Sequence, residues 1–430
     1  MRDLILTALV LGSVPFILRN PFIGLLMWVW LGIMNPHQLT WGFSRSMPFA
    51  QIVAITTLVS MVFHTAKLHP FPRDRVAVLL VIFVIWLCIS PLTSFHPELE
   101  FKFWDRVIKI QIMGLAALLI LGTREHLHKL AWVLALSIGF YGIKGGLFTI
   151  ATGGHSRVWG PANSFIADNN QLALAIIMGI PLFRYLQLHS ENRWVKRGCL
   201  AAIVLCSASA IGSQSRGAFL AIMAMAAFLW TKSRRKGLVG ILVLSVAPLA
   251  WLLMPDSWSE RMSSIQTYEQ DGSAMGRINS WWMAWHLAVD RFPIGGGFAI
   301  YEPDIFARYA PDPTTVLVAH SIYFQILGEH GFLGLALFLS IFGFSWANGA
   351  WIVRNTKGKA GLEWAHDLAA MCQVSLIGYA VGGAFLSLTY FDLPYYIVII
   401  LVVLRVMVRR ELAAAPAPLR ELSFAPLHVA

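Results

Sequence analysis

Residues 255–331 read PDSWSERMSSIQTYEQDGSAMGRINSWWMAWHLAVDRFPIGGGFAIYEPDIFARYAPDPTTVLVAHSIYFQILGEHG. This is the one long polar excursion in a chain otherwise built from apolar runs. It opens at Pro255–Asp256–Ser257–Trp258, directly after such a run. It carries Gly276–Arg277, then Trp281, Trp282 and Trp285, then Pro293 and Gly295–Gly296–Gly297. It closes on Ala319–His320–Ser321 and passes into a new apolar helix through Glu329–His330–Gly331. Its basic residues are Arg261, Arg277, Arg291 and Arg308, without lysine.

Outside that stretch the chain reads as membrane. Of its 430 residues 57% are hydrophobic and only 13% charged, against about a quarter charged in a soluble domain. Runs such as Val76–Ile89, Leu172–Ile180, Leu200–Ala210 and Ile397–Leu404 belong to spans of roughly 17–25 residues. A bilayer offers no partner to open backbone groups, so the spans are helices and the class is all-α polytopic. Leu4–Leu18 ends at Arg19–Asn20–Pro21 and lacks the small-residue pattern of a cleaved signal. The net charge of +11 comes from short connecting loops, where it sets orientation and does not point to nucleic acid. Cys88, Cys199, Cys206 and Cys372 show neither metal spacing nor a disulfide framework.

Basic segments occur at Lys67–Arg75, Arg124–Lys129, Arg184–Arg197, Lys232–Lys236 and Arg354–Lys359, and Arg405, Arg409 and Arg410 end the last span. The positive-inside rule makes these cytoplasmic. Alternation then puts Asn35–Met47, Ser94–Asp105, Thr152–Ser164, Ser215–Gly217, Pro255–Ala319 and Asp392–Pro394 outside. Spans are expected at 21–34, 48–66, 76–93, 106–122, 128–150, 166–186, 199–215, 217–231, 237–254, 320–348, 366–389 and 394–409, about twelve in all. Leu4–Leu18 would reach about 22 Å as a helix. It reads either as a tilted thirteenth span or as half of a broken helix, so the topology of residues 1–34 stays open. The expected organisation is N-terminal membrane helices over 1–150, central helices with an outer arginine loop over 151–254, a large outer loop over 255–319, C-terminal helices over 320–410 and a disordered cytoplasmic tail over 411–430.

Several side chains could carry chemistry. Arg216, in Gly212–Ser213–Gln214–Ser215–Arg216–Gly217, is the only charge between Gly198 and Lys232 and falls at a hairpin tip. It reads either as a snorkelling anchor or as an anion ligand beside glycines that admit a phosphate. Arg277 leads the tryptophan-rich segment Ile278–Val289, which reads as an interfacial helix. It is either a headgroup contact or a guanidinium fork for a diphosphate. His320 is expected to begin a span, where a neutral imidazole can take a proton from an attacking hydroxyl. Glu329 is an intramembrane carboxylate, a functional candidate by default or a buried partner for a cation. Lys144 stands alone in an apolar span. Arg157 and Asn170 flank the next outer loop, as substrate contacts or as loop solvation and capping. Gly295–Gly296–Gly297 lacks a nucleotide-motif setting and reads as a turn. The outer loops carry no Asp-x-Asp cluster or His-rich site, so arginine is expected to neutralise phosphate in place of a metal. No cofactor is expected.

In this order and spacing, Ser215–Arg216–Gly217, Gly276–Arg277 with Trp282 and the Pro293–Gly297 turn, and His320–Ser321 with Glu329–His330–Gly331 resemble the O-antigen ligase family, grouped with O-antigen polymerases and O-oligosaccharyltransferases. The likeness covers about residues 150–350. Met34–Asn35–Pro36–His37–Gln38–Leu39–Thr40–Trp41–Gly42 is similar to the start of a subgroup of O-glycosylation ligases. The resemblance implies a bacterial inner-membrane glycosyltransferase of the GT-C type, inverting and metal-independent. It implies a glycan donor linked to undecaprenyl diphosphate and, in ligases, a lipid A core acceptor on the periplasmic face. By motif, His320 would be the catalytic base, and Arg216 and Arg277 would bind the diphosphate. Ser321 departs from the polar neighbours that many ligases place beside the histidine, which leaves the acceptor open. The alternatives are a polymerase, a protein O-oligosaccharyltransferase, a transporter or flippase, and a non-catalytic scaffold. A transporter tends to show repeated halves, which this chain lacks.

Overall fold

A computed structural model describes residues 1–232, 237 and 272–414. The expected span at 237–254, the start of the outer loop with Arg261, most of Lys232–Lys236 and the tail from 415 lie outside the described residues.

Among the described residues every regular element is a helix. In chain order they are α1 (Arg2–Arg19), α2 (Pro21–Met34), α3 (Phe49–Phe63), α4 (Arg75–Ile89), α5 (Pro97–Ile120), α6 (Arg124–Ala151), α7 (Asn169–Leu188), α8 (Arg193–Gly212), α9 (Arg216–Lys232), α10 (Gly272–Asp290), α11 (Pro303–Tyr309), α12 (Ile322–Thr356), α13 (Glu363–Gly382) and α14 (Asp392–Ala414), joined by short 3₁₀ turns. Six described segments are long and apolar enough to cross a membrane: Arg75–Thr93, Arg124–Ala151, Asn169–Leu188, Arg193–Gly212, Ile322–Thr356 and Glu363–Phe385. The apolar helices Pro21–Met34, Phe49–Phe63 and Arg216–Thr231 are shorter.

The helices start where the sequence can satisfy their first N–H groups. Asp74, Thr123, Asp168 and Asn192 each accept a bond from the second helical residue or the third, at the starts of α4, α6, α7 and α8. Helix α14 lies at the centre: every residue from Asp392 to Leu404 is buried, as expected of a helix that is apolar all round.

The first hairpin is resolved by contacts at its two ends. Asp3, at the start of α1, bonds to Gly42 N and Ser44 N, beyond the end of α2. Arg19, at the end of α1, gives its carbonyl to Lys67 Nζ at 2.6 Å. Helix α1 therefore runs opposite to α2, and Asn20 caps α2 through Phe22 N. The two are separate packed helices, and α1 is not half of a broken one.

The basic connections gather at one end of the bundle. His69 N reaches Leu119 O at 2.7 Å, His189 meets Asp367 at 2.9 Å, and Arg405 meets Asp74 at 2.9 Å. The Arg216, Arg277 and His320 segments lie at the opposite end. One boundary differs from expectation. The stretch Ser94–Asp105, read as an outer loop, is helical from Pro97 onward because Pro97 starts α5 with Glu98 and Glu100 in its first turn.

Candidate active site

Arg216 is the first residue of α9, and the tip before it is not a solvated turn. Ser213, Gln214 and Ser215 are buried. Asn169 Nδ2 donates to Ser213 O at 2.7 Å, and Gln214 Nε2 donates to Gly154 O at 3.1 Å. The polar tip is thus tied to the start of α7 and to the loop after α6, which fixes where the guanidinium leaves the backbone. Gly217 faces Phe385, at ordinary van der Waals distance.

Arg277 stands in the first half of α10. This helix buries Gly276, Ser280, Met283, Ala284, Leu287 and Ala288 and exposes Trp282 and Trp285. Arg216 and Arg277 line one cavity of about 270 Å³, together with Trp281, Ile278, Leu220 and Phe385. The indole of Trp281 stacks on Phe324, with ring centroids 5.0 Å apart.

His320 does not line this cavity, but α10 holds it within the electrostatic reach of Arg277. Asn279 Nδ2 donates to Asp312 O at 2.8 Å and Thr315 O at 3.1 Å, and its Oδ1 accepts from Asp312 N. Ser280 Oγ donates to Leu317 O at 2.8 Å, and Trp281 Nε1 to Ala319 O at 2.7 Å. Three consecutive helix residues therefore stitch down the extended strap that ends at His320. His320 has φ 44°, left-handed backbone that a non-glycine residue adopts only when its surroundings enforce it. It precedes α12, which starts at Ile322; the expected helical start at His320 is therefore displaced by the strap. Burial, and then the positive charge of Arg277, hold its imidazole below the ordinary pKa of 6.5, with Asp168 acting the other way. The ring is neutral at pH 7 and within the field of Arg277.

Below His320, α12 is broken. Gly331 has φ 67° and ψ −169°, so Glu329–His330–Gly331 is a break and not a further turn of continuous helix. The Gly295–Gly297 turn fills it. Gly296 N donates to Gly328 O at 2.9 Å, Gly297 N to Glu329 O at 2.8 Å, and Leu333 N to Pro293 O at 3.3 Å. Carbonyls and an amide left open by the break are thereby satisfied, as a membrane-embedded break requires. On its far side the turn rests on Glu100 of α5, whose carboxylate accepts from Phe298 N at 3.0 Å, Ala299 N at 2.9 Å and Ser94 Oγ at 2.7 Å.

The remaining candidates separate. Glu329 is buried and takes bonds from Tyr390 and, at 3.0 Å, from Gln325 Nε2, with His330 Nε2 at 4.0 Å. Asn170 lies in the capped first turn of α7, bonded to Asp168 at 2.8 Å. Arg157 bonds Gln214 Oε1 at 3.3 Å, which sets it beside the Arg216 tip, and lines a neighbouring cavity with Lys144. Lys144 does not reach the arginine cavity. Among the described residues no group of three or more His, Cys, Asp or Glu is placed to hold a metal ion.

Residues 201–339, which contain Arg216, Arg277 and His320, match the family model for O-antigen ligase. The chain carries an O-antigen ligase family segment. Residues 1–191 match a family of unknown function, DUF5935. No curated protein matches the chain. Together with its apolar helices, this match supports a multi-pass membrane enzyme of the O-antigen ligase or polymerase type.

Proposed function

We propose that the chain transfers a glycan from undecaprenyl diphosphate to a hydroxyl of a lipid A core on the periplasmic face of the bacterial inner membrane. The observation that carries this reading is the shared cavity of Arg216 and Arg277, with the neutral His320 in the field of Arg277. Both arginines stand at the end of the bundle away from the basic loops, the outer end by charge sorting.

The reaction is a single inverting displacement. The acceptor oxygen bonds to the anomeric carbon as the bond to the diphosphate oxygen breaks. His320 takes the acceptor's proton, and the electron pair leaves on the diphosphate. Arg216 and Arg277 neutralise the charge that grows there, and such stabilisation is worth about 10²–10³ in rate for each donor group. A planar guanidinium suits the paired oxygens of a diphosphate. The apolar lining from Trp281, Leu220 and Phe385 suits the first isoprene units of the carrier.

The test is transfer in vitro by purified protein with EDTA present, from lipid-linked glycan to lipid A core or to a pilin-like protein. Transfer is expected to persist in EDTA, to fall by about 10² or more in His320→Ala, and to be largely lost in Arg216→Ala and Arg277→Ala. Full transfer by His320→Ala removes the base assignment. Glycan flipping without transfer turns the reading to a flippase, and transfer only to protein replaces the acceptor.

A further inference from the structure

A second, larger cavity of about 710 Å³ lies within the segment whose family has no known function. It is an open cavity lined by the start of α1, the end of α2 with the turn after it, the second half of α6 and the loop at 160–162. It shares no residue with the arginine cavity. Its lining is chiefly apolar, with Trp30, Trp41 and Phe140 its largest side chains.

Three cations stand on this apolar lining, Arg2, Arg45 and Lys144, and no acidic residue lines it. The carboxylate nearest in sequence, Asp3, is committed elsewhere: it accepts from Gly42 N, Ser44 N and Ser44 Oγ at 3.1, 3.1 and 2.7 Å. Among the described residues the side chains of Arg2, Arg45 and Lys144 make no ion pair or hydrogen bond. Positive charges that converge beside an apolar wall favour an anionic partner. Trp41 is 84% exposed at the rim, the amphipathic type of side chain that settles at a headgroup level.

We propose that this cavity is a binding site for an anionic phospholipid, with its phosphate on Arg2, Arg45 and Lys144 and an acyl chain along Leu9, Trp30 and Phe140. Charge complementarity selects the phosphate, and the apolar wall selects a lipid over a free anion. Basic pockets between membrane helices hold anionic headgroups in this way. The site stands independently of the transfer reaction, although Lys144 also lines the small cavity that holds Arg157, whose partner Gln214 precedes Arg216 by two residues.

The experiment is native mass spectrometry of the full chain, delipidated in detergent and given phosphatidylglycerol, phosphatidylcholine or inorganic phosphate. Wild type is expected to retain phosphatidylglycerol at least tenfold better than phosphatidylcholine, and inorganic phosphate not at all. The double variant Arg2→Gln/Arg45→Gln should lose at least tenfold of that preference. Leu9→Trp, which fills the apolar floor and leaves the cations in place, should also release the lipid. Equal retention of the two lipids by wild type overturns the proposal. So does an unchanged preference in both variants, or tight binding of inorganic phosphate alone.

Discussion

Replacing Gly331 with alanine tests the broken helix most directly. At φ 67° and ψ −169° this position lies in backbone territory essentially reserved for glycine, and any other residue there costs on the order of 1–3 kcal/mol. The added Cβ would also sit 2.1 Å from Pro293 O and 2.7 Å from Gly295 N. Both are backbone atoms, so the contact is relieved only if the turn and the helix part. Parting breaks the Gly296–Gly328, Gly297–Glu329 and Leu333–Pro293 bonds, at about 0.5–1.5 kcal/mol each. The combined loss is roughly 2.5–7.5 kcal/mol. Gly343 supplies the control on the same helix: it is exposed, and a Cβ there meets nothing within 4 Å. Alanine at Gly343 should change stability by no more than about 1 kcal/mol. Both variants would be melted in one detergent and followed by intrinsic tryptophan fluorescence. Similar midpoints for Gly331→Ala and Gly343→Ala would refute the account of the break.

Further outcomes follow from the same geometry. The base form of His320 is neutral and its pKa is lowered, so kcat/KM should stay high as pH falls to 6.5 and decline only below it. Removing the charge of Arg277 raises that pKa, so the acid limb of the residual activity in Arg277→Gln should move to higher pH; a limb above 6.5 in wild type contradicts the assignment. Glu100→Ala leaves the Phe298 and Ala299 amides without their buried acceptor, at about 1–3 kcal/mol each, and should lower the melting midpoint while Glu98→Ala, on the exposed side of the same turn, does not. Asn279→Ala unties the strap at Asp312 and Thr315 and should lower kcat by up to about 10²-fold with little change in KM; an equal rise in KM would assign Asn279 to binding instead.

Much of the framework was legible because a span is written in contiguous residues. The apolar runs announce the helices, but not all of their starts: those expected at 128 and 199 lie at Arg124 and Arg193, where Thr123 and Asn192 cap polar first turns. Arg216, Arg277 and His320 stood out as isolated polar groups in apolar or aromatic company, and two of them do share a cavity. What stayed hidden depends on pairing across the chain. Gly295–Gly297 was readable as a turn, but its partner is a helix break at Gly331. Glu100 fell within the stretch Ser94–Asp105, read as an outer loop, and its three donors come from Ser94, Phe298 and Ala299. Asn279 and Ser280 fell within Ile278–Val289, read only as an interfacial helix. The signal that could have found them is their place: small polar residues directly after Gly276–Arg277, on the side of α10 that is buried.

The seat of Glu100 also bears on how this chain can be recombined. Its carboxylate belongs to the stretch that matches one family model, and the amides it holds belong to the stretch that matches the other. Asp74 of the first stretch likewise grips Arg405 near the end of the chain. Neither half can therefore be exchanged with a relative's as a free cassette. A hybrid spliced between residues 191 and 201 would inherit mismatched clasps at both ends of the bundle unless those contacts travelled with it.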